Sequence, residues 1–197
     1  METTKQDGNI LFPVFLKLEK LKVLIVGGGN VALEKLNAVL GNSPDTEVTL
    51  VAPEIQAKIR ELAYHYPNVK LKDRIFFPGD LFTAGLVIAA TGNHELNKTI
   101  KLEAEKQKIL VNVADTPELC DFYLGSIVKK GDLKIAISTN GKSPTLAKRI
   151  KEILNDAFPD EIQGVLDNLQ FIRKKLNGNF SAKVKKLNEI TSSLAVE

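Results

Sequence analysis

The chain has 197 residues, 44% of them hydrophobic, which is enough for one large domain or for a domain with a smaller companion. Its net charge of +3 and its 6% aromatic content argue against a nucleic-acid partner. No apolar stretch approaches the roughly 20 residues of a membrane span, and the single cysteine, Cys120, excludes an internal disulfide and a multi-cysteine metal site.

Taken in chain order, the run 10–16 is interrupted by Pro13 and followed by Lys17 and Lys20. It has neither the basic start nor the small-residue cleavage site of a secretory signal, so the expected location is cytoplasmic. Val23-Leu24-Ile25-Val26 reads as a strand buried on both faces. It leads straight into Gly27-Gly28-Gly29, and Gly27, Gly29 and Ala32 fit the spacing G-x-G-x-x-G/A. In that reading Gly27 permits the tight turn, Gly29 lets the backbone approach a diphosphate, and Ala32 keeps the next helix near the strand. Unpaired N–H groups at the helix start then face the anion. The bare pattern also fits an ordinary strand-to-helix turn. Its context favours the ligand, because a helix over 31–40 and a second strand over 47–51 complete one βαβ unit.

Residues 54–64 read as a helix with Ile55, Ile59 and Leu62 near one face. Residues 69–77 are extended, Pro78-Gly79-Asp80 turns, and 79–82 suit a short helix. A buried strand over 86–90 is followed by Asn93, placed to cap a helix that carries Leu96, Ile100 and Ala104 on one face. Another buried strand covers 109–113. This alternation implies a parallel sheet with helices on both faces. The pattern then changes. Strands over 121–129 and 133–138 are joined by Lys130-Gly131-Asp132. A helix over 143–157 has Pro144 at its first position and is ended by Phe158-Pro159. Helices over 161–176 and 181–195 are divided by Asn177-Gly178-Asn179. The expected fold is α/β: a Rossmann-like parallel sheet over 1–114, a small β dimerisation segment over 115–142 and a helical C-terminal region over 143–197. A lone hairpin is marginal, so residues 115–140 are expected to form the core of a homodimer.

In such a sheet the ligand lies beyond the carboxyl ends of the strands. Three segments end there: Gly27-Gly28-Gly29, Ala89 to Asn93, and Val113-Ala114-Asp115. Thr91 and Asn93 suit either the nicotinamide end of a cofactor or the cap of the next helix. Asp115 suits either a proton acceptor or metal holder beside a substrate, or a turn former before Thr116-Pro117. The acid expected at the end of strand two comes a few positions late, as Glu54, and no arginine sits beside it for a 2′-phosphate; NAD is expected over NADP. His65 reads as structural, His94 as a surface residue, and Cys120 as a small buried apolar side chain, with a ligand or a nucleophile as the alternatives. Lys129, Lys130, Lys134, Lys142, Lys148 and Arg149 are either a solvated face or an attractor for a polyanionic small molecule.

Several blocks, in their shared order, carry a resemblance. They are Phe12-Pro13-Val14-Phe15-Leu16, the glycine run through Ala32, Val48 to Glu54, Pro78-Gly79-Asp80-Leu81, Ala89-Ala90-Thr91, Val111 to Asp115, Pro117 to Phe122, and Ile135 to Pro144. The chain resembles the precorrin-2 dehydrogenase/sirohydrochlorin ferrochelatase family, which forms the dehydrogenase part of siroheme synthases. The resemblance implies oxidation of precorrin-2 to sirohydrochlorin with NAD⁺ as hydride acceptor, and in some members insertion of Fe²⁺. It implies an intertwined homodimer, with Asp115 as the catalytic carboxylate. Asn30, Val31, Pro53 and Glu54 match cofactor contacts, and the loop Ser138, Thr139, Asn140, Gly141, Lys142 and Ser143 borders the tetrapyrrole. Pro53 in the matching block accounts for the missing strand-two acid. This chain has Gly92-Asn93 where many members carry two acids, and Gly125, expected to loosen a turn, where many carry proline. Within these 197 residues no methyltransferase module is recognised, so precorrin-2 is expected as a substrate supplied from elsewhere. The competing readings are a dehydrogenase without chelatase activity and a dimeric NAD(H)-sensing module without turnover.

Overall fold

The computed structural model of the chain describes residues 8–176 and 179–192. Two compact units divide it. Leu11–Leu124 form one; the described residues up to Ile10 and those from Gly125 onward form the other. The first boundary therefore falls after Leu124 rather than after residue 114, and the hairpin and C-terminal helices share a unit.

The larger unit is a five-stranded parallel sheet in the order β3-β2-β1-β4-β5. Its strands are β1 (Lys22–Val26), β2 (Glu47–Ala52), β3 (Val69–Asp73), β4 (Leu86–Ala89) and β5 (Leu110–Val113). Between them run α1 (Asn30–Asn42), α2 (Ala57–His65) and α3 (His94–Lys106). Successive side chains point to opposite faces, which gives two cores. Val23, Ile25, Val48, Leu50 and Ile88 pack with Ala32, Leu36, Val39 and Ile59 on one face. Leu24, Val26, Val51, Val87, Ala89 and Val111 pack with Ile100, Ala104 and Leu81 on the other. Burial on both faces is why β1 and β4 read as unbroken apolar runs.

The ladder brings the strand ends level. Val26 pairs with Val51 on one side and Ala89 on the other, and Ala89 pairs with Val113. Chain order reverses between β1 and β4, and a sheet of this kind binds ligands at the carboxyl side of such a switch.

Three expected elements are shorter in the structure, each for a tertiary reason. β3 stops at Asp73, because the next residue, Arg74, turns its N–H to the Lys72 carbonyl (2.9 Å) and its guanidinium to Asp80. α2 starts at Ala57, because Gln56 is extended and gives its N–H to the Gly28 carbonyl (3.1 Å). The strand expected from residue 121 starts at Ser126, because the preceding residues lie along the outer edge of β5.

The smaller unit contains the antiparallel hairpin β6 (Ser126–Lys130) and β7 (Leu133–Ile137), then α4 (Pro144–Ala157), α5 (Ile162–Lys175) and α6 (Phe180–Thr191). The hairpin turn at Gly131 (φ +57°) is tied to α5: the Asp132 N–H donates to Gln163 Oε1 at 2.7 Å, and Lys130 pairs with Asp160 at 2.5 Å. Gly125 does not loosen a turn. A Cβ there would lie 2.7 Å from the Ile137 carbonyl oxygen, so its bareness permits a close approach. Of the expected helix over 181–195, residues 193–195 lie outside the described residues, as do Asn177 and Gly178 of the divider before it. Among the described residues no helix is long and apolar enough to cross a membrane.

One buried charge secures the second face. The Asp80 side chain is 1% exposed and receives both Arg74 guanidinium nitrogens (2.6 and 2.7 Å), Lys72 Nζ (3.2 Å) and the Phe77 N–H (3.3 Å). Burial alone would raise its pKa, but the hydrogen bonds from Arg74, Phe77 and Lys72 outweigh it and hold the carboxyl below the ordinary value. A depressed folded-state pKa contributes stability above the unfolded carboxylate value, and that contribution is lost as pH falls through the folded-state value. Asp80→Ala is expected to cost on the order of 3 kcal/mol at neutral pH, and the gap from the parent chain to narrow in acid. Urea denaturation across a pH series checks both.

Candidate functional site

The glycine turn is fixed by its neighbours. Gly27 has φ +128° and donates its N–H to the Val51 carbonyl (2.9 Å), extending the β1–β2 ladder by one bond. A Cβ on Gly27 would lie 2.1 Å from the Ala90 carbonyl oxygen. A Cβ on Gly28 would lie 2.0 Å from the Glu54 carbonyl oxygen. Gly29 differs: a Cβ there would meet nothing within 4 Å. Gly29 caps α1, whose first intrahelical bond runs from the Leu33 N–H to the Gly29 carbonyl at 3.0 Å. The N–H groups of Asn30, Val31 and Ala32 thus belong to the unsatisfied first turn. Open space over a helix start, reached along a bare backbone, fits the diphosphate of a dinucleotide.

The other strand ends stand beside this turn. Pro53 and Glu54 are exposed, and Ile55 (8% exposed) anchors the loop 53–56 in the core. After β4, Asn93 accepts the Leu96 N–H at 3.0 Å and so caps α3. The Thr91 hydroxyl donates to Asn97 Oδ1 (2.7 Å), buried at 4%, and accepts the Asn93 N–H (3.1 Å). Both side chains are therefore engaged in starting α3, one of the two roles open to them from sequence. Asn97 had no signal in the sequence beyond its place one turn into that helix.

Asp115 stands two residues beyond Val113, the end of β5. It is exposed and holds φ +58°, a left-handed conformation that asparagine and aspartate tolerate better than other side chains. Its carboxylate has no hydrogen-bonding or ionic partner among the described residues. β5 lies two strand spacings from β1, about 10 Å, and the ladder sets Val113 level with Val26.

Cys120 performs a task that the sequence did not announce. Its sulfur receives the Val113 N–H (3.2 Å) and its S–H donates to the Val113 carbonyl (3.1 Å). Asp121 does the same one pair earlier: its N–H donates to the Val111 carbonyl (2.8 Å) and its Oδ2 accepts the Val111 N–H (2.9 Å). The Phe122 carbonyl accepts Asn112 Nδ2 at 2.9 Å. Residues 120–122 thus cover an edge strand that would otherwise offer itself for pairing. Burial pushes the thiol pKa up, the Val113 N–H opposes this, and the nearby Asp121 and Glu118 carboxylates add to the rise. A neutral thiol in that position is a structural group and not a nucleophile.

In the smaller unit the loop 138–143 folds on itself. Ser138 Oγ accepts the Asn140 N–H (3.2 Å), Thr139 Oγ accepts the Ser143 N–H (3.2 Å), and Ser143 Oγ caps α4 by accepting the Leu146 N–H (3.1 Å). Asn140 (φ +54°) and Gly141 (φ +74°) are both left-handed, and Gly141 and Lys142 are exposed. Lys129 and Lys134 stand opposite each other across β6 and β7. His65 ends α2 edge-on to Tyr64, and His94 opens α3 on the surface beside Glu95 (3.5 Å).

A parallel sheet with its order reversed at β1/β4 and a glycine turn under an open helix start define a nucleotide-binding α/β protein of the Rossmann kind. Comparison with known proteins narrows this. A family described as "Putative NAD(P)-binding" matches residues 14–126, and one described as "Sirohaem biosynthesis protein central" matches 130–157. The precorrin-2 dehydrogenase of Bacillus subtilis (strain 168) is 33% identical over 165 residues, which are 84% of this chain and 99% of that protein. The siroheme synthase of Methylococcus capsulatus is 37% identical over 147 residues, 75% of this chain but 30% of that protein; for the siroheme synthase of Nitrosomonas europaea the corresponding share is 35%. A solved structure described as SirC, precorrin-2 dehydrogenase, superimposes with a TM-score of 0.73 at 29% identity, covering 94% of each chain. The chain belongs to the precorrin-2 dehydrogenase family, whose fold also forms part of siroheme synthases, and it has the family's nicotinamide-nucleotide-binding domain.

The two outer glycines are expected to respond differently to a methyl group. Gly27→Ala combines a forbidden φ with a backbone clash and should cost about 3 kcal/mol. Gly29→Ala should cost about 1 kcal/mol or less, the penalty of a poorer cap, while weakening nucleotide binding. Thermal melts and calorimetric titration with NAD⁺ separate the two outcomes.

Proposed function

We propose that this chain oxidises precorrin-2 to sirohydrochlorin with NAD⁺ as hydride acceptor, and that Asp115 takes the accompanying proton. The observation that carries the reading is Asp115 itself: an exposed carboxylate, unpartnered among the described residues, in a left-handed turn just past β5, whose last residue is level with the end of β1. Strained non-glycine residues gather where geometry serves chemistry. The names of the similar dehydrogenases agree with it.

When bound, the nicotinamide nucleotide supplies the hydride acceptor. Gly27, Gly28, Gly29, Asn30 and Val31 hold its diphosphate by backbone approach and the α1 start. Pro53 and Glu54 meet the adenosine ribose, while Thr91, Asn93 and Val113 border the nicotinamide end. NAD is favoured over NADP because Glu54 is the first ionisable residue beyond β2, and Arg60 is paired with Asp73, and Lys72 and Arg74 with Asp80. Glu54 is then the group that meets a 2′ substituent. Precorrin-2 carries acetate and propionate groups around its rim. The loop Ser138, Thr139, Asn140, Gly141, Lys142 and Ser143 and the Lys129/Lys134 pair offer donors and positive charge to such a polyanion.

Asp115→Asn should bind NAD⁺ as the parent does and lose about 10²- to 10⁴-fold in turnover. The check is formation of NADH and of the sirohydrochlorin chromophore from precorrin-2. Tight NAD⁺ binding without any turnover by the parent chain would instead support a sensing module. Sirohydrochlorin and Fe²⁺ given to the same pair of proteins reads whether metal insertion uses this carboxylate too.

The chain is also proposed to act as a homodimer. A two-stranded hairpin is marginal by itself, and the inward-alternating Ile135 and Ile137 of β7 are only half-buried in one copy. Light scattering at micromolar concentration should give twice the 21.7 kDa chain mass; a monomer mass would reject the assembly.

A further inference from the structure

The middle glycine of the turn has a role that a diphosphate does not explain. Gly28 is not left-handed, so φ does not demand glycine there. What demands it is the loop after β2. A Cβ on Gly28 would lie 2.0 Å from the Glu54 carbonyl oxygen, 3.0 Å from the Glu54 carbonyl carbon and 2.9 Å from the Ala52 Cβ. The nearest obstacle, the Glu54 carbonyl, belongs to the loop backbone, and neither it nor the Ala52 Cβ can swing aside as the end of a flexible side chain would. The loop is also bonded to the same residue, since the Gln56 N–H donates to the Gly28 carbonyl at 3.1 Å. Ile55 is buried in the core, so the loop is held on that side, while Pro53 and Glu54 are exposed.

The arrangement accounts for the late position of Glu54. An acid at the last residue of β2 would reach the ribose directly. Here β2 ends at Ala52 and the chain bends back over Gly28, which returns Glu54 toward the glycine turn. We propose that Gly28 is a positioning residue: by admitting the loop 53–56 against the turn, it fixes Glu54 where its carboxylate accepts a ribose 2′-hydroxyl and rejects a 2′-phosphate. This rests on the nicotinamide-nucleotide function proposed above and assigns that site's selectivity to a contact between two backbone segments of the protein.

The test is a double-mutant cycle read by calorimetric binding of NAD⁺ and NADP⁺ to the full chain. The parent should prefer NAD⁺. Glu54→Gln should narrow that preference about tenfold, a loss near 1.4 kcal/mol. Gly28→Ala should narrow it by a similar factor, although it leaves the acid in place. The two together should narrow it no further than either alone, because they remove one shared interaction. Gly29→Ala, which meets open space, should weaken both nucleotides equally and keep the ratio. Where Gly28→Ala does not fold, Gln56→Pro releases the loop differently: proline accepts the Gln56 φ of −63° and lacks the N–H that Gly28 receives. It should narrow the preference in the same way. An unchanged NAD⁺/NADP⁺ ratio in Gly28→Ala or in Gln56→Pro, additive effects with Glu54→Gln, or a parent without preference would overturn the role of Gly28. A parent that binds neither nucleotide would overturn the proposed function itself.

Discussion

Three strand ends in this protein are held together by the lack of two methyl groups. The backbone at Gly27 lies against the Ala90 carbonyl and that at Gly28 against the Glu54 carbonyl, each too close for a Cβ. Hydrogen bonds follow the same lines: Gly27 to Val51, Gln56 to Gly28, and Ala90 to Val26 at 2.8 Å. The turn after β1 is therefore a junction for the segments leaving β2 and β4. Its third glycine meets nothing and leaves the helix start open. Within one short run of sequence, Gly27 and Gly28 lie against neighbouring backbone and Gly29 faces open space.

The far side of the sheet solves a different problem. β5 is an edge strand, and the ladder beyond Ala89 continues by one bond, Ala114 N–H to the Ala89 carbonyl at 2.9 Å. Asp115 then turns the chain so that residues 120–122 can return along that edge. The left-handed turn that presents the carboxylate is the same turn that lets Cys120 and Asp121 cover β5. Site geometry and edge protection are parts of one chain reversal.

Much of this was legible in the residues. Strands buried on both faces advertise themselves as apolar runs, and the glycine spacing places the first turn. Asn93 and Pro144 mark helix starts by local chemistry, which is why those boundaries agree closely. The ends of β3, α2 and β6 were not legible, because distant groups set them: Asp80 draws Arg74 out of the strand, Gly28 holds Gln56 outside the helix, and β5 takes residues 120–122 for its edge. The same limit hid the work of Cys120, since a sulfur serving as both donor and acceptor to one residue has no sequence pattern. The approach of the Glu54 carbonyl to Gly28 likewise joins two distant segments and has no local pattern.

The sheet order also sets a timetable. β1 is central and leaves the ribosome before β4, and its βαβ partner β2 follows soon after. The carbonyl that completes the fit around Gly27 belongs to Ala90, and β4 must emerge before it can be placed. During synthesis the N-terminal half therefore exposes one apolar flank of its central strand, Leu24 and Val26 included, until the second half of the sheet arrives.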